Sequence, residues 1–139
     1  MIFLCDYYNQ ASKDLAYSLQ VAGYDATTVV INPDGFLPQD ALSPFTYYVE
    51  AEEETGKPRF FNQVPVPDFW EISGNNQMAR VSNLTEERAR ITYPEGSKAR
   101  IVKSVEWLDK SGKIRQVDHY NKYGFCFAKT THDENGQAV

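Results

Sequence analysis

The fold is decided by one stretch in the second half of the chain, which reads Val105-Glu106-Trp107-Leu108-Asp109-Lys110-Ser111-Gly112-Lys113-Ile114-Arg115-Gln116-Val117-Asp118-His119-Tyr120. Side chains of opposite character alternate on both sides of the Asp-Lys-Ser-Gly turn, which predicts two antiparallel strands joined as a hairpin. Strand-like runs at 88–93 and 123–131 extend the prediction to a four-stranded meander. One face of such a sheet packs, and the other stays wet or meets a partner.

The last residues of the chain carry another turn signal. Asn135-Gly136 follows a β-rich run and precedes Gln137-Ala138-Val139, a pattern that predicts a returning strand. We therefore expect the chain to be a piece of a longer protein. Because an unpaired strand edge favours pairing with another chain, we also expect an oligomer that forms through sheet edges.

The first residues predict a different kind of structure. Met1 to Cys5 is apolar, a helix is expected over Lys13–Ala22 with Ser12 as its N-cap, and 27–31 is β-branched. A strand, a helix and a strand in this order are typical of a parallel α/β sheet. The loop after the first strand, 6–11, contains no glycine, so we do not expect a nucleotide phosphate site there.

The middle of the chain is less regular. We expect a strand at 45–49, an exposed acidic loop at 50–57, an extended Pro-rich segment at 59–72 that lies outside the centre of a sheet, and a loop at 73–87. The predicted fold class is α+β. We expect residues 1–44 to begin a Rossmann-like half and residues 45–139 to form an extended antiparallel sheet domain.

Composition excludes several classes of function. The 139 residues carry a formal net charge of -5, and the basic residues are scattered, so nucleic acid and anionic membrane are not expected as partners. The two cysteines, Cys5 and Cys126, lie in apolar runs and are expected to be buried free thiols. The two histidines and two cysteines have no metal-ligand spacing, so no metal site is expected. Neither a signal peptide nor a membrane span is predicted, which favours a cytoplasmic chain.

Two features of the sequence could indicate catalysis or binding, an Asp–His pair and the aromatic content, whereas the acidic run at 50–54 is expected to be a solvated loop rather than a cation site. Asp118 and His119 are adjacent in a predicted strand and therefore point to opposite faces, which argues against an acid/base pair. The chain contains eight Phe, nine Tyr and two Trp residues, and such residues either anchor interfaces or fill cores. For Phe69 and Trp70 we regard these two roles as equally weighted.

Several segments together resemble one family, the glycosylation stabilising proteins of the accessory Sec system. The segments that carry the resemblance are Asp34-Gly35-Phe36-Leu37-Pro38, Leu42-Ser43-Pro44, Phe61-Asn62-Gln63-Val64-Pro65-Val66-Pro67-Asp68-Phe69-Trp70-Glu71-Ile72, Val105-Glu106-Trp107-Leu108-Asp109 and His119-Tyr120-Asn121-Lys122-Tyr123-Gly124. The resemblance implies a non-catalytic subunit of a GT-B-like fold with an inserted extended sheet. It implies two partners, a catalytic glycosyltransferase and a serine-rich repeat adhesin as acceptor, and a cytoplasmic position with peripheral association at the plasma membrane as an option.

The expected site follows from this resemblance and from the aromatic content. Partner or acceptor contacts are predicted at Phe69, Trp70, Trp107, His119, Tyr120 and Tyr123. No catalytic residue, metal or cofactor is expected. Two alternatives stay open, a fragment of a catalytic GT-B glycosyltransferase and a carbohydrate-binding module.

Overall fold

The computed structural model describes residues 1–47 and 56–139 and divides the chain into two compact units, Met1–Glu50 and Ala51–Val139. The first unit holds a small parallel sheet with helices, and the second holds an antiparallel sheet. The predicted α+β class, dominated by β-structure, is confirmed. Within the described ranges no helix is both long enough and apolar enough to cross a membrane.

The first unit is a three-stranded parallel sheet with two helices. Its elements are β1 (Ile2–Cys5), α1 (Gln10–Val21), β2 (Thr27–Val30), β3 (Ala41–Leu42) and α2 (Pro44–Tyr47). The strand order is β1-β2-β3. A small core forms where Val30, Leu37 and Ala41 are buried, with Cys5 and Tyr8 packed beside them. The predicted strand–helix–strand opening is therefore confirmed.

Helix α1 begins earlier than the predicted start at Lys13. The N-cap of α1 is Asn9, whose side chain accepts a hydrogen bond from the Ser12 backbone N–H at 3.0 Å. Asn caps a helix as well as Ser does, and the earlier residue prevails because the Ser12 hydroxyl donates to the Tyr7 carbonyl at 2.7 Å instead.

The strand predicted at 45–49 is wrong for the part that the structure describes. Residues 44–47 are helical, and the Ser43 hydroxyl accepts from the Phe45 N–H at 3.3 Å. Ser followed by Pro is an N-cap followed by the residue favoured at the first helical position, and this local signal outweighs the β propensity of the aromatics. Residues 48–55, which include part of the predicted strand and most of the predicted acidic loop, lie outside the described residues.

The second unit is a six-stranded antiparallel meander. Its strands pair in sequence order: β4 (Glu71–Gly74), β5 (Met78–Asn83), β6 (Glu86–Thr92), β7 (Ser104–Leu108), β8 (Ile114–Tyr120) and β9 (Cys126–Thr131). The four predicted strands are confirmed, with shorter bounds for β7 and β9. The returning strand begins as predicted, because His132 and Ala138 form an antiparallel bridge.

The loop predicted at 73–87 is instead the end of β4, all of β5 and the start of β6. The Asn75 side chain makes the turn between β4 and β5, since its Oδ1 accepts from the N–H groups of Gln77 and Met78 at 2.7 and 3.0 Å. The buried side chains of β5 are only Ala79 and Val81. Their small size and the polar residues between them hid the strand from hydropathy patterning.

One face of this sheet carries the core. Ala79, Val81, Ala89, Ile91 and Val105 are all fully or almost fully buried there. The residues that pack over them come from the segment that precedes β4, namely Phe61, Val64, Val66 and Trp70. We refer to residues 59–70 as the covering segment. It lies outside the six-stranded ladder, as its prolines predicted. The prediction of an extended segment at 59–72 is wrong in part, because Phe61–Gln63 is a 3₁₀ helix and residues 71–72 belong to β4.

The opposite face is polar. Neighbouring strands place Arg80, Arg90 and Glu106 side by side across β5, β6 and β7. The Glu87 carboxylate lies 2.5 Å from Arg90 Nε and 3.9 Å from an Arg80 guanidinium nitrogen. Such partly exposed pairs add little to stability, so this face is a solvated surface.

The covering segment is fastened at its start by a close backbone contact. Gly124 has φ +85°, and a Cβ on it would lie 2.5 Å from the Lys57 carbonyl oxygen. The Gly124 carbonyl accepts a hydrogen bond from Arg59 Nε at 3.1 Å. The two chain segments can approach this closely only because residue 124 has no side chain.

We predict that Gly124→Ala destabilises the chain more than Gly112→Ala does. Both glycines have similar positive φ, +85° and +83°, but a Cβ at Gly112 would meet no atom within 4 Å. The backbone strain, about 1 kcal/mol, is therefore shared, and only Gly124→Ala adds a steric clash worth about 1–3 kcal/mol. Thermal unfolding followed by circular dichroism compares the two variants. Equal losses of Tm would show that the close contact does not constrain the fold.

Candidate interaction surface

The six predicted binding residues all lie in the second unit but do not converge on one site. Phe69 and Trp70 end the covering segment, Trp107 is on β7, His119 and Tyr120 end β8, and Tyr123 is in the turn before β9. Their environments differ enough to separate residues that support the fold from residues free to contact a partner.

Trp70 supports the packed face. It is half-buried against the core cluster, and the Arg88 guanidinium lies 5.5 Å from its ring centroid. Arg88 also lies 3.6 Å from the Glu86 carboxylate. Trp70 therefore holds the end of the covering segment against the sheet, because its ring contacts both the core and the Arg88 guanidinium.

Trp107 belongs to a polar cluster on the same face as the core. Its indole Nε1 donates to one oxygen of Asp118 at 2.9 Å, and the Gln116 amide donates to the other oxygen at 2.6 Å. Asp118 is 9% exposed, so both of its oxygens need these donors. This cluster fixes the Trp107 ring across β7 and β8.

His119 lies on the opposite face of β8, as predicted. Its Nε2 is 2.8 Å from the Thr130 hydroxyl on β9, and it makes no pair with Asp118. Burial lowers the pKa of His119, Asp118 opposes this shift, and Lys103 adds to it. The absence of an Asp–His pair at this place confirms the expectation from strand alternation.

Tyr120 and Tyr123 flank the contact at Gly124. Tyr120 is 6% exposed, burial raises its pKa, and the Arg59 guanidinium lies 5.5 Å from its ring. Tyr123 lines a shallow cavity of about 400 Å³. The other residues at this cavity are Lys57, Arg59, Gln63, Gly124 and Phe125. Arg59 already donates to the carbonyls of Gly124 and Gln63, so its guanidinium serves the fold.

Phe69 differs from all the others. Its side chain is 98% exposed, and its backbone has φ 68°. It occupies the third position of a turn in which the Trp70 N–H donates to the Pro67 carbonyl at 3.2 Å. The aromatic pair that sequence reasoning could not separate is thus split, with Trp70 directed to the core and Phe69 to solvent.

Leu84 is an exposed apolar residue that was not predicted from the sequence. Leu84 is 92% exposed with φ 55° and lies between β5 and β6, in the region predicted as a loop. The only signal for it was a leucine in a polar stretch, and this becomes informative only once the hairpin is known.

Among residues 1–47 and 56–139, no cluster of three or more His, Cys, Asp or Glu side chains is arranged to hold a metal ion. Cys5 and Cys126 are both free thiols, but neither is buried as expected: Cys5 is half-buried and Cys126 is exposed. It lies at the start of the outermost strand, β9, where one side of the strand has no neighbour along most of its length.

The fold defines the class of protein: a short parallel α/β unit followed in the chain by an antiparallel sheet unit. Two family models match the chain, the GtfB N-terminal domain over residues 2–48 and the GtfB middle domain over residues 70–139. The chain therefore belongs to the GtfB family.

The similar curated proteins are described as stabilizing proteins GtfB of a UDP-N-acetylglucosamine–peptide N-acetylglucosaminyltransferase. The chain is 54% identical to the protein from Streptococcus gordonii over 138 residues, 99% of this chain and 31% of that protein. It is 53% identical to the Streptococcus pneumoniae protein over 139 residues, 100% of this chain and 31% of that one. The chain thus spans less than a third of the length of these relatives.

Two solved structures are similar to this chain. A structure described as the GtfA/B complex bound to UDP and GlcNAc matches with a TM-score of 0.83 and 54% identity, covering all of this chain and 31% of that one. A Staphylococcus aureus TarM structure matches with a TM-score of 0.56 and 10% identity, over 99% of this chain and 38% of that one. The second likeness concerns the fold alone.

The surroundings of His119 predict how stability depends on pH. Because its pKa is lowered in the folded state, the unfolded chain takes up the proton more readily, and stability is lost as pH falls below the ordinary value of 6.5. We expect His119→Gln to lose less free energy of unfolding between pH 7.5 and pH 5.5 than the unaltered chain does. Urea denaturation at both pH values measures this, and identical losses would contradict the burial of the ring.

Proposed function

We propose that this chain is part of a non-catalytic stabilising subunit of a protein O-glycosyltransferase, and that it binds the catalytic subunit through the six-stranded unit. The observation that carries the proposal is the 54% identity over 138 residues to a protein described as the stabilizing protein of such a transferase. The match to a structure described as the GtfA/B complex supports the same role.

The sheet suits a binding role because it is closed over its core face and open at both edges. Its core face is closed by the covering segment, and β4 and β9 lie at its two edges. Edge strands carry unpaired backbone donors and acceptors that can extend onto another chain. Association through these edges, either with the catalytic subunit or between copies of the chain, is part of the proposal.

The acceptor and the cellular location that we propose rest on the resemblance to the family. The acceptor is a serine-rich repeat adhesin, and the complex works in the cytoplasm, with peripheral association at the membrane. Of the six predicted contact residues, Phe69 has the exposure that a direct contact needs. Contacts by Trp70, Trp107, His119, Tyr120 and Tyr123 stay predictions.

The test is to mix the chain with the catalytic transferase from the same cell and to measure molar mass by size exclusion with light scattering. We expect a stable mixed complex. The chain alone and the transferase alone are the controls. Two separate peaks would overturn binding through these residues.

A second readout separates the stabilising role from an enzymatic one. The chain is expected to slow thermal inactivation of the transferase and to release no UDP from UDP-N-acetylglucosamine by itself. Release of UDP by the chain alone would contradict the non-catalytic role and favour a transferase fragment.

A further inference from the structure

We propose that Phe69 and Leu84 form a two-residue docking surface that inserts into an apolar pocket of the catalytic transferase. This inference rests on the proposed function and names the contact through which it acts. The backbone of both residues has a conformation that large apolar residues rarely adopt.

Among residues 1–47 and 56–139, three non-glycine residues have positive φ: Phe69 at 68°, Leu84 at 55° and Arg100 at 54°. Arg100 has a structural reason, since two of its guanidinium nitrogens donate to the Asn76 side chain at 3.0 and 2.8 Å and its carbonyl accepts from Phe61 at 3.0 Å. Left-handed backbone is costly for large side chains and persists where the surroundings or a function require it.

The turns that contain Phe69 and Leu84 require positive φ, but the side chains of these two residues do not help to hold that conformation. Their side chains are 98% and 92% exposed, so packing does not hold them in place. Phe69 is at the third position of its turn, where a type II geometry favours Gly or Asn. Leu84 is the first of the two residues that join β5 to β6, where Gly is favoured in type II′ hairpins. In each place a large apolar residue stands where glycine would be the more stable choice.

The two residues lie at the same end of the sheet. The pairing of β4 with β5 ends at Glu71 and Ser82. Phe69 is two residues before Glu71, and Leu84 is two residues after Ser82. Both therefore lie just beyond the last paired residues of adjacent strands, and each exposes its apolar side chain at this end of the sheet.

The charged residues around Phe69 and Leu84 indicate the kind of partner that they can bind. Three exposed acids, Asp68, Glu71 and Glu86, flank the two apolar residues, and in the part of the chain that the structure describes only Glu86 of these three forms an ion pair, with Arg88 at 3.6 Å. A second copy of the chain docking by the same surface would bring these acids together, which disfavours a symmetric dimer there. An extended Ser-rich acceptor offers no apolar pocket. A folded protein that has an apolar pocket surrounded by basic residues would complement this surface. The catalytic transferase is the folded partner in the proposed function.

The test uses the full chain with Phe69→Gly, Leu84→Gly or both. We expect glycine to relieve the backbone strain, so that Tm stays equal or rises by a few degrees, while the affinity for the transferase falls by about tenfold or more for Phe69→Gly. Tm is measured by calorimetry and affinity by titration of the transferase. An equal or higher Tm together with a lower affinity is the result expected for a docking residue.

Arg100→Gly is the matched control. It replaces the third residue with positive φ, at a place where the side chain serves the fold, so it is expected to lower Tm and to leave the affinity unchanged. If the unaltered chain binds the transferase and the glycine variants bind equally well, the docking surface is overturned and the proposed function stands. If the unaltered chain does not bind, both fail.

Two further results would also overturn the proposal. A fall in Tm of the Phe69→Gly and Leu84→Gly variants, in parallel with their affinity, would show that the side chains support the fold. Self-association of the unaltered chain that the variants abolish would make a second copy the occupant.

Discussion

The second unit depends on one constraint, the backbone attachment of the covering segment across the core face of the sheet. The Arg59 carbonyl accepts from the Val102 N–H at 2.8 Å, and the Phe61 N–H donates to the Arg100 carbonyl at 3.0 Å. The glycine at 124 lets the start of the segment pass at van der Waals distance. These contacts hold Phe61, Val64 and Trp70 over the strands, and this removes the apolar face of β5 and β6 from water.

The same attachment explains the placement of the proposed contact. The covering segment reaches the sheet end at the turn 67–70, where Trp70 packs on the core and the preceding residue is driven outward. A single turn with positive φ thus converts two adjacent aromatics into one structural residue and one exposed residue. Leu84, in the hairpin between β5 and β6, is a second exposed apolar residue at the same end of the sheet as Phe69. Stability and recognition are therefore assigned to different side chains within a few residues of sequence.

The sequence predicted most of the fold and part of the candidate site. The meander from β6 to β9 was predictable because alternation and turn residues agree, and the opposite orientation of Asp118 and His119 follows from alternation alone. The strand β5 was missed because its buried residues are small, and α2 was missed because capping outweighs propensity. The unusual backbone of Phe69 and Leu84 could not be predicted, since propensity for a large apolar residue gives no warning of positive φ.

We propose above all that the sheet end with Phe69 and Leu84 contacts the catalytic subunit. Hydrogen exchange of the chain alone and in the complex, read by mass spectrometry, tests it most directly. In the complex we expect slower exchange in peptides that cover 67–72 and 83–87, and unchanged exchange in the turns at 94–97 and 121–124 at the opposite end of the sheet. Protection confined to those opposite turns, with none at 67–72 and 83–87, would contradict it.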